Sequence, residues 1–285
     1  MNGPILALSS LRRLHSMSDP NNLCENEFWK DQFWKIDDEP LPDIRLDDGN
    51  LEFREQEKVI SKYLVADPNT RCLEIGCCPG RYLWYFHTKY QYQVFGIEYV
   101  EKAAARTQAA LDQHSIPAKI LCEDLFNYSV PVEDRFQVVC SVGFVEHYRD
   151  IQEPLQKHID LLAPEGLLII WVPNHRGICG WILRLIQPDF FAMHNRMSWK
   201  DLKGALSEFD DIEILEGGYW GKFNLAPSNF LPWLRSKVYY YPYRVVEKLH
   251  NLALRWGHYF PDTRVTSPYL GVVARRRKTE DKFGK

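Results

Sequence analysis

Three acidic side chains that lie at the ends of apolar runs are the residues of this chain best suited to binding a ligand. They are Glu74, Glu98 and Asp124. The apolar runs predict parallel strands, whose carboxyl ends share the sheet edge where open α/β proteins bind ligands. Because Glu74 stands two residues before Gly76, it would repel a pyrophosphate and attract an ammonium group. The three acids therefore predict a crevice for a ligand that carries a positive charge.

A glycine-marked turn follows the first of these acids. Its spacing, Glu74-x-Gly76-x-Cys78-x-Gly80, lacks two of the three glycines of a dinucleotide fingerprint and the Lys-Ser/Thr pair of a phosphate loop. Glu98 follows Gly76 by ~22 residues, the offset at which a carboxylate meets ribose hydroxyls in nucleotide-binding folds. An ammonium group and a ribose on one ligand are features of S-adenosylmethionine. Each residue taken alone could instead serve a tight turn or be a solvated acid.

This segment resembles motif I of the class I S-adenosylmethionine-dependent methyltransferases, in the small-molecule group of that family. The resemblance continues in the family's order through Glu98, Cys122–Leu125, Phe136–His147 and Leu161–Asn174. It implies a Rossmann-like α/β fold with a seven-stranded sheet, mostly parallel with an antiparallel last strand, and with helices on both faces. It also implies S-adenosyl-L-methionine as the cofactor. Before the last strand, the number and types of the residues predict an aromatic-rich helical insertion.

The resemblance further implies which residues contact that cofactor. Glu98 matches the acid that holds the ribose hydroxyls, and Asp124 matches the one that meets the adenine amino group. Asp124 could alternatively cap the next helix. Cys78 stands where the family most often has glycine, and its side chain could narrow the pocket near the methionine moiety. The full set of cofactor-binding residues that we expect is Glu74, Gly76, Cys78, Gly80, Glu98, Tyr99, Asp124, Leu125 and Ser141.

Histidines are the candidates for the proton transfer that methylation of a hydroxyl or a protonated amine requires. His147 follows the predicted fourth strand beside Glu146 and is the first candidate for a catalytic residue. His194 is the second candidate and His175 the third. Each also has a structural interpretation, because His147 could order the start of a helix and His194 could fasten its loop.

The order of periodic segments predicts how the chain divides. Strands and helices alternate from residue 71 to 172, which predicts a parallel sheet covered on both faces. We expect an N-terminal leader over residues 1–50, a methyltransferase core over 51–220 and 267–276, and a solvated tail over 277–285. Residues 221–266 are too many for a bare loop and predict a helical lid or substrate cap.

Aromatic residues are concentrated in this insertion. The simplest interpretation is that they pack it onto the sheet, and a second is that two or three of them line an acceptor pocket. A homodimer interface or a contact with a membrane surface is a third. The residues are Trp233, Tyr239, Tyr240, Tyr241, Tyr243, Trp256, Tyr259 and Phe260.

Composition narrows the classes of function. The 285 residues are 45% hydrophobic and 26% charged with a net charge of −3, which argues against nucleic acid as a partner. Seven cysteines without a C-x-x-C pair predict free thiols in a reducing, cytoplasmic setting and no metal site. No run is long enough to cross a bilayer, and the first 17 residues do not resemble a secretion signal.

From the sequence we therefore expect a methyltransferase of small-molecule biosynthesis that acts on an O or N atom. The acceptor would be a natural product, a sugar or a lipid-like intermediate. Two alternatives stay open. One is a cofactor-binding protein without transferase activity, and the other is a nucleotide-dependent oxidoreductase or epimerase, which the incomplete glycine fingerprint disfavours.

Overall fold

The computed structural model describes residues 21–24, 40–46, 51–221, 245, 252 and 261–278. Within these ranges seven strands form one sheet: β1 Arg71–Ile75, β2 Gln93–Ile97, β3 Ala118–Leu121, β4 Phe136–Val142, β5 Leu162–Pro173, β6 Ile212–Trp220 and β7 Tyr269–Arg276. The helices are α1 Leu51–Ile60, α2 Arg81–Tyr90, α3 Glu101–Gln113, α4 Gln152–Leu161, α5 Ile178–Ile186, α6 Pro188–Ala192 and α7 Trp199–Leu206.

The strand order of the sheet is β3-β2-β1-β4-β5-β7-β6. Strands β1 to β5 pair in parallel, and β7 lies antiparallel between β5 and β6. The order reverses between β1 and β4, because the chain runs outward from β1 to β3 and then crosses to the other side. Ligands of open α/β sheets bind outside the carboxyl ends of the strands at such a switch point. The predicted fold class is confirmed.

Two hydrophobic layers enclose the sheet. On one face, side chains of α1, α2 and α3, including Ile60, Phe86 and Leu111, pack against the sheet. On the other face, side chains of α4 and α7, including Leu155 and Leu202, do the same. Both faces are therefore buried, which explains why the parallel strands show continuous apolar runs in the sequence.

Local signals explain where several elements begin. Helix α2 begins after Gly80, whose φ of +97° is a left-handed conformation that glycine adopts without strain. Helix α7 begins with a capping box, in which Ser198 accepts from the Asp201 backbone and Asp201 accepts from the Ser198 backbone. Ser198 is the N-cap residue of this box, and a serine with an acidic residue three positions later is a sequence signature of such a helix start.

The remaining differences concern element boundaries. Helix α1 ends at Ile60, although Tyr63 and Leu64 continue its apolar helical spacing. The short helix α6 begins with Pro188, a residue that favours the first position of a helix. The lid predicted for residues 221–266 lies mostly outside the described residues, as do its aromatic side chains. Within it, Val245 and Leu252 are helical and exposed. No helix in the described ranges is long and apolar enough to span a membrane.

Candidate active site

A glycine-bearing loop at the switch point forms the floor of the candidate site. Gly76 follows β1 with φ +69°, and its N–H donates to the Ile97 carbonyl of β2 at 2.9 Å. Gly80 closes the loop and immediately precedes α2, in which the Leu83 N–H bonds to the Glu74 carboxyl. The loop thus exposes backbone to a ligand between β1 and β4.

An aromatic side chain from β4's carboxyl end lies directly over this loop. A Cβ atom placed on Gly76 would come within 3.3 Å of the Phe144 ring. The Phe144 ring packs against the Tyr148 ring, with centroids 5.5 Å apart. The Tyr148 ring in turn packs against Phe126, with centroids 5.4 Å apart. These three rings form a row between the glycine loop and the segment that follows β3. Flat apolar surfaces of this kind suit the ring system of a bound base.

Glu74 is buried beneath the same loop. It is 4% exposed, and its Oε2 atom has no hydrogen-bond partner among the described residues. Burial raises the pKa of this carboxyl well above its ordinary value, the backbone N–H of Leu83 opposes the rise, and the negative charge of Glu98 adds to it. A buried acceptor without a donor is costly in a folded protein. It fits a ligand that brings an ammonium group to this position.

Glu98, at the end of β2, is also buried but is better satisfied. Its Oε1 accepts the Val100 N–H at 3.0 Å. Burial raises the pKa of this carboxyl, while backbone N–H groups of Val100, Tyr99 and Cys78 lower it. These N–H groups fix the carboxylate at the rim of the glycine loop. The structure therefore brings Glu74 and Glu98 together at adjacent strand ends.

Asp124, the third predicted acid, has a different environment. Its side chain is exposed, and Oδ1 accepts the Phe126 N–H at 3.0 Å. It closes a turn over residues 124–128, and the next helix, a short 3₁₀ helix, begins only at Val132, so Asp124 does not cap it. Beside it Leu125 is buried. Burial raises the pKa of the half-buried Tyr99, the charge of Glu98 adds to the rise, and Asp124 contributes less.

Two further predicted residues occupy distinct surroundings. Cys78 is partly buried in the loop, and burial raises the pKa of its thiol to about 11, so it is a neutral thiol at physiological pH. Ser141 lies on β4 beside Ile75, and its hydroxyl contacts His158 Nε2 at 2.9 Å. That contact points toward α4, on the sheet face opposite Glu74. The structure therefore does not bring the Ser141 hydroxyl to the glycine loop.

Three buried histidines form a cluster beyond the carboxyl ends of β4 and β5. The His194 ring is the middle one, with centroids 4.7 Å from His147 and 4.5 Å from His175. Burial, and then the neighbouring rings, lowers the pKa values of His147 and His175 to about 3, and burial lowers that of His194. All three imidazoles are therefore neutral near pH 7.

Backbone carbonyls determine which ring nitrogens carry the protons. His194 Nδ1 lies 2.7 Å from the Phe190 carbonyl, so the proton is on Nδ1 and Nε2 keeps its lone pair. His147 Nδ1 lies 3.2 Å from the Met193 carbonyl, and the Gly143 carbonyl also bonds to this ring. A neutral ring can donate to only one of two carbonyls. His194 is thus the ring with the better-defined basic nitrogen, although the sequence favours His147.

The loop that carries His194 is fastened to the segment after β4. The Asn195 N–H donates to the Glu146 carbonyl at 2.6 Å. The Asn195 side-chain amide donates to the carbonyls of Tyr148 and Arg149, each at 2.9 Å. These bonds hold His194 beside His147 despite a separation of 47 positions in the chain. Asn195 is a site residue that sequence reasoning missed, and its neighbour His194 was the only signal.

Glu146 lies under this segment as a neutral acid. It is 1% exposed, its Oε2 has no hydrogen-bond partner in the described part of the chain, and burial raises its pKa to about 8. Its Oε1 lies close to Gly143, where a Cβ atom would be 3.4 Å away. The carboxyl supports the turn between Gly143 and His147.

A short N-terminal segment packs against the chain that follows β4. Residues 21–24 run antiparallel to the chain around Tyr148. The Leu23 N–H donates to the His147 carbonyl at 2.7 Å, and the Asn21 side chain bonds both backbone groups of Asp150 at 2.6 and 2.8 Å. The sequence gives no sign of this pairing, since it joins segments more than 100 residues apart. Within the described residues, no group of three His, Cys, Asp or Glu side chains is placed to hold a metal ion.

Comparisons with known proteins agree with this geometry. Residues 73–170 match the family model described as a methyltransferase domain. That segment contains the glycine loop, both buried acids and the turn at His147. Over this segment the chain is therefore similar to a methyltransferase domain, in agreement with the resemblance that the sequence shows. No curated protein matches the sequence.

Solved structures match at low identity over most of the chain. A chain of the Haloferax volcanii complex that contains the Trm112 methyltransferase activator has a TM-score of 0.58 and 12% identity, over 92% of this chain and 100% of that one. Geranyl diphosphate C-methyltransferase from Streptomyces coelicolor has a TM-score of 0.51 and 13% identity, over 78% of each chain. Its structure contains S-adenosyl-L-homocysteine, the demethylated form of the predicted cofactor. The [4+2]-cyclase SpnF has a TM-score of 0.51 and 14% identity, over 78% and 80%.

Proposed function

We propose that the protein binds S-adenosylmethionine and transfers its methyl group to an O or N atom of a small-molecule acceptor. The observation that carries the proposal is the buried Glu74 Oε2, which lacks a donor among the described residues beside the Gly76 loop. The cofactor's ammonium group would supply that donor. Glu98 would accept the ribose hydroxyls, and Tyr99, Asp124 and Leu125 would border the adenine.

The remaining cofactor contacts follow from the loop. Gly76 and Gly80 would let the cofactor approach the backbone closely, and Cys78 would face it as a neutral thiol. S-adenosylmethionine supplies a methyl group already activated by a sulfonium, so the protein's main contributions are positioning and removal of one proton. The Ser141 hydroxyl would not contact the cofactor, because it bonds to His158, and it would influence the cofactor site only through that bond.

The histidine cluster supports an O- or N-acceptor. Because the Phe190 carbonyl fixes the proton on Nδ1 of His194, its Nε2 would take the acceptor's proton. His147 would orient the His194 ring, and His175 would complete the wall of the acceptor pocket. Burial weakens these bases, and a ring that gains a proton there would need the compensation of a nearby negative charge. For a hydroxyl acceptor, we infer that the oxyanion left when the proton moves to His194 provides that charge until it forms the bond to the methyl group. A protonated amine becomes neutral when it loses its proton, so it would provide no such charge.

Two other functions deserve a direct test. A protein that binds the cofactor without transferring its methyl group is one, since the similar structures include a cyclase. A nucleotide-dependent oxidoreductase or epimerase is the other. Calorimetry with S-adenosylmethionine, followed by transfer of radiolabelled methyl to acceptors grouped as phenols, amines, sugars and isoprenoids, separates these functions. Binding without transfer to any group supports the first alternative. Nicotinamide absorbance in the purified protein would support the second.

A cytoplasmic location and a homodimer remain predictions of the sequence.

A further inference from the structure

The outer face of α5 is apolar, the reverse of what a surface helix usually presents. Ile178, Trp181 and Leu185 follow one another at helical spacing and are 36%, 62% and 65% exposed. The inner face carries the buried Leu183. Val265, 48% exposed, adjoins the helix because its carbonyl accepts the Ile178 N–H at 2.9 Å. These four exposed residues are called the α5 patch.

The size of the α5 patch argues against a protein partner. Its four side chains expose on the order of 400 Å² together, within the range in which surface patches of monomers are often functional. A stable protein–protein interface needs about 800 Å² from each partner. A single convex helix also offers no groove for a peptide. A second copy of this chain would therefore gain too little contact from this face alone.

Positive charge surrounds the α5 patch. Arg184 is exposed on the helix beside Leu185, and Arg264 is exposed beside Val265. Arg176, just before the helix, lies 3.5 Å from Asp201 and is paired there. Helix α5 contains no acidic residue, and the acids nearest in sequence are Asp189 on α6 and Asp262. Trp with aliphatic residues and flanking arginines is the composition of helices that lie in the lipid interface.

We propose that the α5 patch binds the surface of a phospholipid bilayer. Trp181 and Leu185 enter the boundary between headgroups and acyl chains, and Arg184 and Arg264 face the phosphates. The nine residues of α5 extend ~13.5 Å, less than half of the ~30 Å hydrocarbon core, so the helix lies along the surface. This contact does not depend on the proposed methyl transfer.

The α5 patch adjoins the histidine cluster. Helix α5 begins three residues after His175, and a Cβ on Gly180 would lie 2.2 Å from the His175 carbonyl. A bilayer contact would therefore bring the acceptor side of the site to the lipid surface. If the proposed function holds, this placement selects acceptors that dissolve in membranes, which is the lipid-like class among those that the sequence allows.

Vesicle flotation of the full chain tests the contact. We expect the protein to float with phosphatidylcholine vesicles and more strongly with vesicles that also contain phosphatidylglycerol. The double variant W181Q/L185Q should lose at least ~10-fold in partition to both kinds of vesicle. R184Q/R264Q should lose binding mainly to the anionic vesicles, and the loss should shrink as salt rises. The matched control V65Q/V132Q changes two aliphatic residues that are 77% and 59% exposed elsewhere, and it should bind like wild type.

Four results would overturn the proposal. The wild-type protein could fail to float, or the control could lose as much binding as W181Q/L185Q. The melting temperature of W181Q/L185Q could fall by several degrees, which would make the α5 patch part of the protein's own packing. Sedimentation velocity could show self-association through Trp181 without vesicle binding. Calorimetry with S-adenosylmethionine reports separately on the proposed function, because W181Q/L185Q should keep wild-type cofactor affinity.

Discussion

The imidazole rings of His147 and His194 lie 4.7 Å apart, although the two residues are 47 positions apart in the chain. His194 donates through Nδ1 to the Phe190 carbonyl and keeps a lone pair on Nε2, whereas His147 is shared between two carbonyls. The pair therefore consists of one ring with a defined basic nitrogen and one ring that supports it.

Replacing these two histidines should separate their roles. His194→Ala should lower kcat by ~10²–10⁴-fold, the usual contribution of a general base, with cofactor affinity unchanged. His147→Ala should lower kcat less, because its loss only releases the His194 ring. His114→Ala, at the end of α3, is the control and should turn over like wild type. Unchanged turnover in His194→Ala would remove that residue from the mechanism.

Asn195 should act by positioning His194. Asn195→Ala removes the amide that donates to the Tyr148 and Arg149 carbonyls, so His194 gains freedom and kcat should fall by ~10-fold or more. The pH dependence of kcat should also shift, since the ring becomes more exposed to water and its pKa rises toward the ordinary value. A lower kcat with an unaltered pH profile would indicate a general structural defect instead.

Two glycine substitutions should have opposite effects on stability. Gly76→Ala places a Cβ at φ +69° and 3.3 Å from the Phe144 ring, which should cost ~1–2 kcal/mol and weaken cofactor binding. Gly204→Ala, inside α7 with no atom within 4 Å of the new Cβ, should stabilise by ~1 kcal/mol. Thermal unfolding of both variants measures the difference. A Gly76→Ala variant as stable as wild type would refute the assigned loop conformation.

The buried Glu146 predicts a pH-dependent stability difference. Its pKa is about 8 in the folded protein and near 4.5 when unfolded, so the folded state holds an extra proton between these values. The stabilising contribution of the neutral acid is complete below pH 4.5 and is lost as the pH rises through about 8. Glu146→Gln keeps the neutral form at every pH.

The melting temperature of Glu146→Gln, relative to wild type, should therefore rise between pH 5 and pH 9. Each kcal/mol corresponds to ~2–4 °C in a domain of this size. Glu133→Gln, an exposed acid before β4, should show a constant difference over the same range. Parallel curves for Glu146→Gln and wild type would contradict the raised pKa.

Much of the sheet could be predicted because its central strands are buried on both faces. The run from Leu167 to Val172 is continuous and apolar, and it predicts a parallel strand correctly. The beginning of β5 could not be predicted. Ala163-Pro164-Glu165-Gly166 indicates a turn, but Leu162 already pairs with Phe136 before the register shifts, and Glu165 adopts φ +64°.

The candidate site divides in the same way. The positions of Glu74 and Glu98 could be predicted from the ends of their strands, because the carboxyl ends of parallel strands share the edge of the sheet where ligands bind. The histidine cluster depends on how the chain from His175 to Asn195 folds back onto the segment after β4. That return is held by backbone carbonyls of Glu146, Tyr148 and Arg149, which every residue type possesses. A sequence carries no signal for contacts of this kind.

Calorimetric titration with S-adenosylmethionine tests the central claim, that Glu74 and Glu98 hold one cationic adenosyl ligand. Wild-type protein should bind with a Kd in the ~1 μM–1 mM range typical of enzyme substrates. Because the buried Glu74 must ionise to receive the ammonium group, its raised pKa predicts proton release on binding and affinity that increases with pH.

Glu74→Gln should abolish the pH dependence, and Glu98→Ala should weaken binding ~10–100-fold. Glu123→Gln, exposed beside Asp124, should bind normally. Absence of binding by the wild-type protein, or full affinity in both Glu74→Gln and Glu98→Ala, would contradict the account.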